Sequence, residues 1–149
     1  MGRVLAGLLL ALAVAAPVLA ADRVVGRWVL DEAAFRAQVE RFYADALAQV
    51  PADERDRAEA MAERAIDATV AQMAGAAATF EPDGTVVLDA GAGPAREGRW
   101  SRVGDTIVVE PGAADADATT LLGTFEDDRL RLTPDREDAV GFVMRRPAE

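Results

Sequence analysis

The spacing of apolar residues changes along the chain, and each change marks a different kind of element. Residues 24–30 carry apolar side chains on alternate positions, as a half-buried strand does. Between residues 31 and 75 apolar residues recur at steps of three and four, which is the repeat of a helix with one buried face. From Ala76 onward the period returns to two. The pattern therefore predicts one strand, a helical segment and a series of further strands.

The helical segment, residues 31–75, predicts two helices. Asp31 is a candidate N-cap, because its carboxylate can accept hydrogen bonds from the N–H groups of the first turn. Pro51 ends the first helix, and the second helix runs from about Asp53 to Gly75. The expected buried face of the first helix consists of Phe35, Val39, Phe42, Ala46 and Val50.

Turn sequences separate the strands that follow the helices. Asp83-Gly84 favours the tight turn of a β-hairpin. Further turns at Gly104-Asp105 and at residues 126–128 repeat the hairpin three times. Closing eight such strands would remove the exposed sheet edges. The expected fold class is α+β, mainly β: a small antiparallel eight-stranded up-and-down barrel with a two-helix insertion after the first strand.

The first residues predict a cleavable signal peptide. One positive charge precedes an apolar run that ends at Pro17, and a Val-x-Ala cleavage site follows. The cut is placed after Ala20, with Ala21 as the second choice, so residues 1–20 form the signal and residues 21–149 form one domain. An uncleaved membrane anchor is the weaker alternative, since a spanning helix needs about 20 apolar residues. The predicted location is the periplasm or the medium.

The composition narrows the possible chemistry. The chain has a net charge of −10, no cysteine, no histidine and one serine, Ser101. The acidic balance and the scattered arginines argue against a nucleic-acid or anionic-membrane partner, because no basic patch would offset the phosphate charge. Without histidine and cysteine, the Ser-His-Asp triad and the common zinc sites are excluded. The acidic groups at Asp115, Asp117 and residues 126–128 lack the spacing of a calcium loop. We therefore predict a protein that is not an enzyme and has no cofactor and no metal site.

Three short motifs carry a resemblance to a known family. They are Gly26-Arg27-Trp28-Val29-Leu30-Asp31, Phe80-Glu81-Pro82-Asp83-Gly84-Thr85 and Gly98-Arg99-Trp100. A Gly-x-Trp on the first strand before an antiparallel meander resembles the lipocalin and calycin group, and the set is similar to small bacterial secreted lipocalin-like proteins. The resemblance implies that Gly26 and Trp28 belong to a motif closing one barrel end. It also implies that an arginine near the chain's end, Arg145 or Arg146, stacks on that tryptophan.

The position of the helices resembles a second group. In fatty-acid-binding proteins two helices also follow the first strand and cover the barrel mouth. The helices predicted here are much longer, and the last strand lacks the Arg-x-Tyr carboxylate clamp of that family. The resemblance therefore implies a lid formed by the helices but not a fatty-acid ligand.

The candidate ligand contacts are aromatic residues of the first strand, the first helix and the third motif, together with one arginine. They are Trp28, Phe35, Phe42, Tyr43, Trp100 and Arg102. The competing interpretation is that the aromatic residues fill the core, because an eight-stranded barrel is just wide enough to be filled by side chains. Arg102 at a strand end would then be solvated.

Two functional hypotheses follow from these patterns, with an enzyme ranked last. The first is an exported lipocalin-like protein that binds a small hydrophobic molecule in a barrel gated by residues 31–75. The second is a non-catalytic protein–protein interaction module of the cell envelope, in which the same helical pair presents the binding surface.

Overall fold

A computed structural model describes residues 23–113, 119–136 and 140–148. Two helices and eight strands occupy these residues. The helices are α1 Glu32–Leu47 and α2 Arg55–Met73, and the strands are β1 Gly26–Leu30, β2 Ala77–Phe80, β3 Thr85–Asp89, β4 Arg96–Val103, β5 Thr106–Pro111, β6 Leu121–Glu126, β7 Arg129–Pro134 and β8 Phe142–Arg145. The predicted signal peptide and the acidic pair Asp115 and Asp117 lie outside the described residues.

The eight strands form a closed barrel in which each strand pairs antiparallel with the next. Strand β8 returns to β1 and closes the barrel, with Val29 opposite Arg145 and Leu30 opposite Met144. The predicted mainly-β, up-and-down barrel with two helices after the first strand is confirmed by this strand order.

The core lies inside the barrel, where alternate strand residues point inward. Among the residues with less than 2 % of their surface exposed are Phe80, Val86, Ile107, Val109 and Leu130. All five lie on strands in the part of the chain, from Ala76 onward, where apolar residues recur at every second position. The alternation therefore identified the buried face of the sheet.

Strand direction gives the barrel two different ends. At one end, here called the turn end, lie the three hairpin turns and the last residues of β8. At the other, here called the helical end, β1 leads into α1 and α2 leads into β2.

Neither helix in the described part of the chain has the length and apolar character that a membrane-spanning helix needs.

Helix α1 is attached to the barrel at its first turn. As predicted, Asp31 is the N-cap: its Oδ1 accepts a hydrogen bond from the Ala34 backbone N–H at 3.1 Å. Its Oδ2 also lies 3.2 Å from Arg129 Nη2 on β7. Phe35 is buried, and its ring is stacked at 6.0 Å from that of Phe142 on β8. A cap, an ion pair and a ring contact thus hold the helix on one side of the barrel.

Helix α1 ends one turn earlier than the apolar pattern predicts. Val50 lies beyond the helix, which ends at Leu47. The N–H groups of Gln49 and Val50 donate to carbonyls three residues back, Ala46 and Leu47. These bonds span one residue fewer than those of an α-helix, so the last turn is tighter. The cause is local: proline disfavours the helical conformation in the residue before it, and Pro51 directly follows Val50.

Helix α2 packs along α1. Ala62 is the buried residue of α2, and Arg36 Nη2 on α1 donates to Asp67 Oδ1 on α2 at 2.7 Å. Further along α2, the half-buried side chains of Ile66, Val70 and Met73 pack against the core. The end of α2 is therefore the part of the insertion that reaches the barrel opening.

Candidate ligand cavity

The interior of the barrel is not filled at the helical end. A cavity of about 350 Å³ lies there, partly open to solvent. Its walls are mainly small or aliphatic side chains, with one aromatic ring: Leu30, Ala76, Ala77, Ala78, Leu88, Leu121, Leu132, Phe142 and Met144. The chemical character of this surface suits an apolar molecule more than a charged one.

Strand β2 and the residue before it leave this space open. Ala78 lies in register between Trp28 on β1 and Leu88 on β3, and only 1 % of it is exposed. Ala76 and Ala77 are also buried and line the cavity. Because an eight-stranded barrel is normally filled by its own side chains, three successive alanines leave a gap that larger residues would close.

The rim of the cavity is formed by the end of α2 and the loop after β3. Met73 contributes from the helix, and Gly93 and Pro94 contribute from the loop. Two charged residues, Asp89 and Arg96, and Ala90 between them complete the lining. An apolar interior with charged groups only at the rim would accept an apolar molecule bearing a polar end.

The rim loop is held against the chain after α2. The Asp89 carboxylate accepts a hydrogen bond from the Gly91 N–H at 2.9 Å. Gly91 has a φ of +80°, and a Cβ at this position would lie 2.4 Å from the Ala74 carbonyl oxygen. Only glycine permits this approach, which fixes the loop beside the cavity opening.

Trp28 closes the opposite end of the barrel. Its indole N–H donates to the Val24 carbonyl at 2.8 Å, and only 2 % of the residue is exposed. The ring lies 5.9 Å from that of Phe125. The Arg146 guanidinium lies over the indole, 4.1 Å from the ring centroid. The turn end is thus plugged by aromatic packing under a cation.

Arg146, rather than Arg145, is the arginine that stacks on Trp28. The Nη2 of Arg146 donates to the carbonyls of Arg23 at 2.6 Å and Val25 at 3.0 Å. Burial lowers the pKa of Arg146 from its ordinary value. Arg145 instead donates from Nη1 to the carbonyl of Arg146 at 3.5 Å. The resemblance implied that either Arg145 or Arg146 stacks on Trp28, and in the structure it is Arg146.

Trp100 also lies at the turn end. Its indole N–H donates to the Glu81 carbonyl at 2.9 Å, and its ring meets the Phe80 ring edge-on at 6.0 Å. Arg102 is on the same strand and donates to the carbonyl of Gly104 at 2.7 Å within the β4–β5 turn. Neither residue lines the cavity.

The three candidate residues on α1 occupy different environments. Phe35 is buried between the helix and β8, whereas 55 % of Phe42 is exposed. Tyr43 is half-buried and meets the Phe42 ring edge-on at 5.7 Å. None of the three lines the cavity, and neither does Trp28.

None of the six predicted ligand contacts lines the cavity: Trp28, Phe35 and Trp100 pack against other rings, whereas Phe42 is mostly exposed. The residues that surround the open space were missed, because large side chains fill volume and small ones leave it empty. The pattern that could have found them is alanine at both Ala76 and Ala78, two positions that share one face in the stretch of period two. In the part of the chain that the structure describes, no three acidic side chains converge on a point that could hold a metal ion.

The closed strand order, the helical insertion and the Trp28–Arg146 stack are compatible with a lipocalin-like fold. In comparisons with known proteins, the chain matches no family model, no curated protein and no solved structure. The fold class therefore rests on the strand order and register of this chain alone.

Proposed function

We propose that this chain is an exported, lipocalin-like, non-catalytic protein that binds a small apolar molecule at the helical end of its barrel. The observation that carries the proposal is the apolar cavity of about 350 Å³ beside the end of α2. This volume falls in the range of small-molecule sites, roughly 300–1,000 Å³. Removing the ligand's apolar surface from water would supply the affinity, at about 25 cal/mol per Å².

The lipocalin-like character of the proposal is supported by the turn end. The Gly-x-Trp opening places Trp28 under an arginine from the chain's end, as the resemblance implied. Export is supported by the apolar run and cleavage site of the first twenty residues.

The proposed gate is smaller than the whole helical insertion. Met73 is the residue of α1 and α2 that lines the cavity, and Gly93 and Pro94 face it from the loop. Methionine has a flexible and polarizable side chain that adapts to ligands of different shape. The other helical residues would position this gate rather than contact the ligand.

The proposal is tested with N-phenyl-1-naphthylamine, a neutral apolar fluorescent probe. In the purified protein, Ala78→Leu places a larger side chain in the cavity, and we expect it to weaken probe binding by about tenfold or more. Ala68→Leu, the same change on an exposed position of α2, is the matched control and keeps wild-type binding. Equal binding by wild type and a folded Ala78→Leu variant would contradict the proposal.

A second candidate function is an interaction module that uses the helical pair. The observation in its favour is the exposure of two large apolar side chains, 55 % for Phe42 on α1 and 60 % for Met61 on α2. Native mass spectrometry separates the two functions. A retained small molecule supports the binding protein, whereas an empty monomer or a dimer that dissociates with Phe42→Asp supports the interaction module.

A further inference from the structure

A second cleft lies at the turn end, away from the apolar cavity. It has a volume of about 510 Å³ and includes part of Trp28 and Asp128. Its other lining residues are all arginines: Arg23, Arg129, Arg145 and Arg146. These four, here called the arginine cleft, are Arg23 before β1, Arg129 on β7 and the consecutive pair Arg145-Arg146, and the fold places all of them together. In a chain with a net charge of −10, they form a local concentration of positive charge.

Two of the arginines face each other across neighbouring strands. Arg129 on β7 is directly opposite Arg145 on β8. Like charges in this arrangement destabilise a sheet. The charge of Arg129 is balanced by Asp31, whose Oδ2 lies 3.2 Å from Arg129 Nη2. No carboxylate in the described ranges forms an ion pair with Arg145. An anion between the two strands would remove this repulsion.

The other two arginines are fixed on aromatic rings. The Arg146 guanidinium lies 4.1 Å from the centroid of Trp28, and that of Arg23 lies 4.4 Å from the centroid of Phe125. Arg23 also donates to the backbone carbonyl of Asp127. Among the described residues, neither guanidinium forms an ion pair with a carboxylate. Their charges are thus held in place before any ligand arrives, which lowers the entropic cost of binding.

We propose that the arginine cleft binds a multiply charged oxyanion of the phosphate class. Guanidinium groups match the geometry of phosphate oxygens and bind them through paired hydrogen bonds. One carboxylate, Asp128, lies among the four arginines of the lining, so a ligand with two or more negative charges balances the cleft best. The group is either a free phosphate compound or the headgroup of a lipid. The inference does not depend on the apolar cavity, which opens at the opposite end of the barrel.

The first arm of the test is calorimetric titration of the purified protein with inorganic pyrophosphate. Arg145→Gln is the informative variant, because Arg145 takes no part in the Trp28 stack. We expect it to weaken pyrophosphate binding by about tenfold, as the loss of a charged hydrogen bond does. Arg64→Gln, at an exposed position on α2 that does not line the cleft, removes the same charge and retains the affinity. Raising the ionic strength weakens binding to the wild type.

The second arm distinguishes the two sources of phosphate. The protein is sedimented with vesicles of phosphatidylcholine, with or without phosphatidic acid. Binding to pyrophosphate without vesicle binding indicates a soluble ligand. Binding only to vesicles that contain phosphatidic acid, with loss in Arg145→Gln, indicates a lipid headgroup.

The proposal is overturned if neither probe binds, or if Arg145→Gln and Arg64→Gln lose binding equally. Misfolding does not obscure the result, since Arg145→Gln removes a like-charge pair. Its unfolding midpoint in urea is expected to be at least that of the wild type in the absence of anion. Because the N-phenyl-1-naphthylamine assay uses a neutral probe at the other end, failure of either proposal leaves the other measurable.

Discussion

Gly26 gives Arg146 the space to lie over Trp28. Its φ is +111°, a backbone conformation that side chains rarely allow, and a Cβ here would lie 2.7 Å from Arg146 Nη1. The same nitrogen donates to the Arg27 carbonyl at 3.4 Å. The Gly-x-Trp spacing thus has a physical reason: the glycine admits the cation, and the tryptophan supports it.

Gly26→Ala is expected to destabilise the protein by about 1–3 kcal/mol, because it strains the backbone and displaces the Arg146 guanidinium. Urea unfolding followed by tryptophan fluorescence measures the change. Gly104→Ala is the matched control, since Gly104 also has a positive φ, of +62°, but no atom near its Cβ position. The cost of Gly26→Ala should fall in an Arg146→Ala background. Equal costs in both backgrounds would show that backbone strain alone is responsible.

The hairpin of β6 and β7 shows how an element combines turn chemistry with a cross-strand ion pair. Asp127 in its turn has a φ of +53°, which aspartate tolerates better than most residues. Glu126 accepts two hydrogen bonds from Arg131, at 2.8 and 2.9 Å. The Arg131 guanidinium lowers the pKa of Glu126 below its ordinary value of 4.5.

Because the pKa of Glu126 is lower in the folded state, its ionised form stabilises the fold at neutral pH. That contribution is lost as the pH falls through the folded-state pKa. We expect the wild type to lose stability more steeply than Glu126→Gln between about pH 5 and pH 3. Urea unfolding across this range measures both slopes. Glu63→Gln on α2 controls for the lost charge, and parallel slopes in wild type and Glu126→Gln would refute the role of this pair.

For the whole molecule, closure of the barrel depends on its shortest pairing. Strands β1 and β8 share two paired positions, whereas β4 and β5 share six. The pairing of β1 with β8 is here called the seam. A backbone hydrogen bond from Asp31 N–H to the Val143 carbonyl at 2.8 Å extends it by one bond beyond the two paired positions. The seam therefore has the fewest backbone bonds to resist local opening.

Native-state hydrogen exchange is expected to show this difference. The amides of β8 should exchange at lower opening free energies than those of β4 and β5, because opening the seam exposes fewer bonds than global unfolding. Exchange measured by NMR at several low urea concentrations separates the two classes. Uniform protection of β8 and β5 would instead indicate that the barrel opens only as one cooperative unit.

The sequence by itself determined the elements and their order. The two-residue period identified the strands, Asp83-Gly84 and Gly104-Asp105 located two turns, and Asp31 was recognised as a cap. These properties depend on residues close together in the chain, so a linear pattern contains them. The predicted end of α1 was one turn too late for an equally local reason. Pro51 changes the conformation of the residues just before it, and the spacing of apolar residues does not show this effect.

Only the tertiary structure decided where the open space and the charge lie. The cavity follows from the placement of small β2 side chains within the closed barrel, a volume that periodicity cannot measure. The arginine cleft depends on contacts such as that between Arg146 and the Arg23 carbonyl, 123 positions apart in the chain. Both sites include residues of β1 and β8, which become neighbours only when the barrel closes. The small residues at Ala76 and Ala78 and the pair Arg145-Arg146 are visible in the sequence, but the space and the cleft that they form are not.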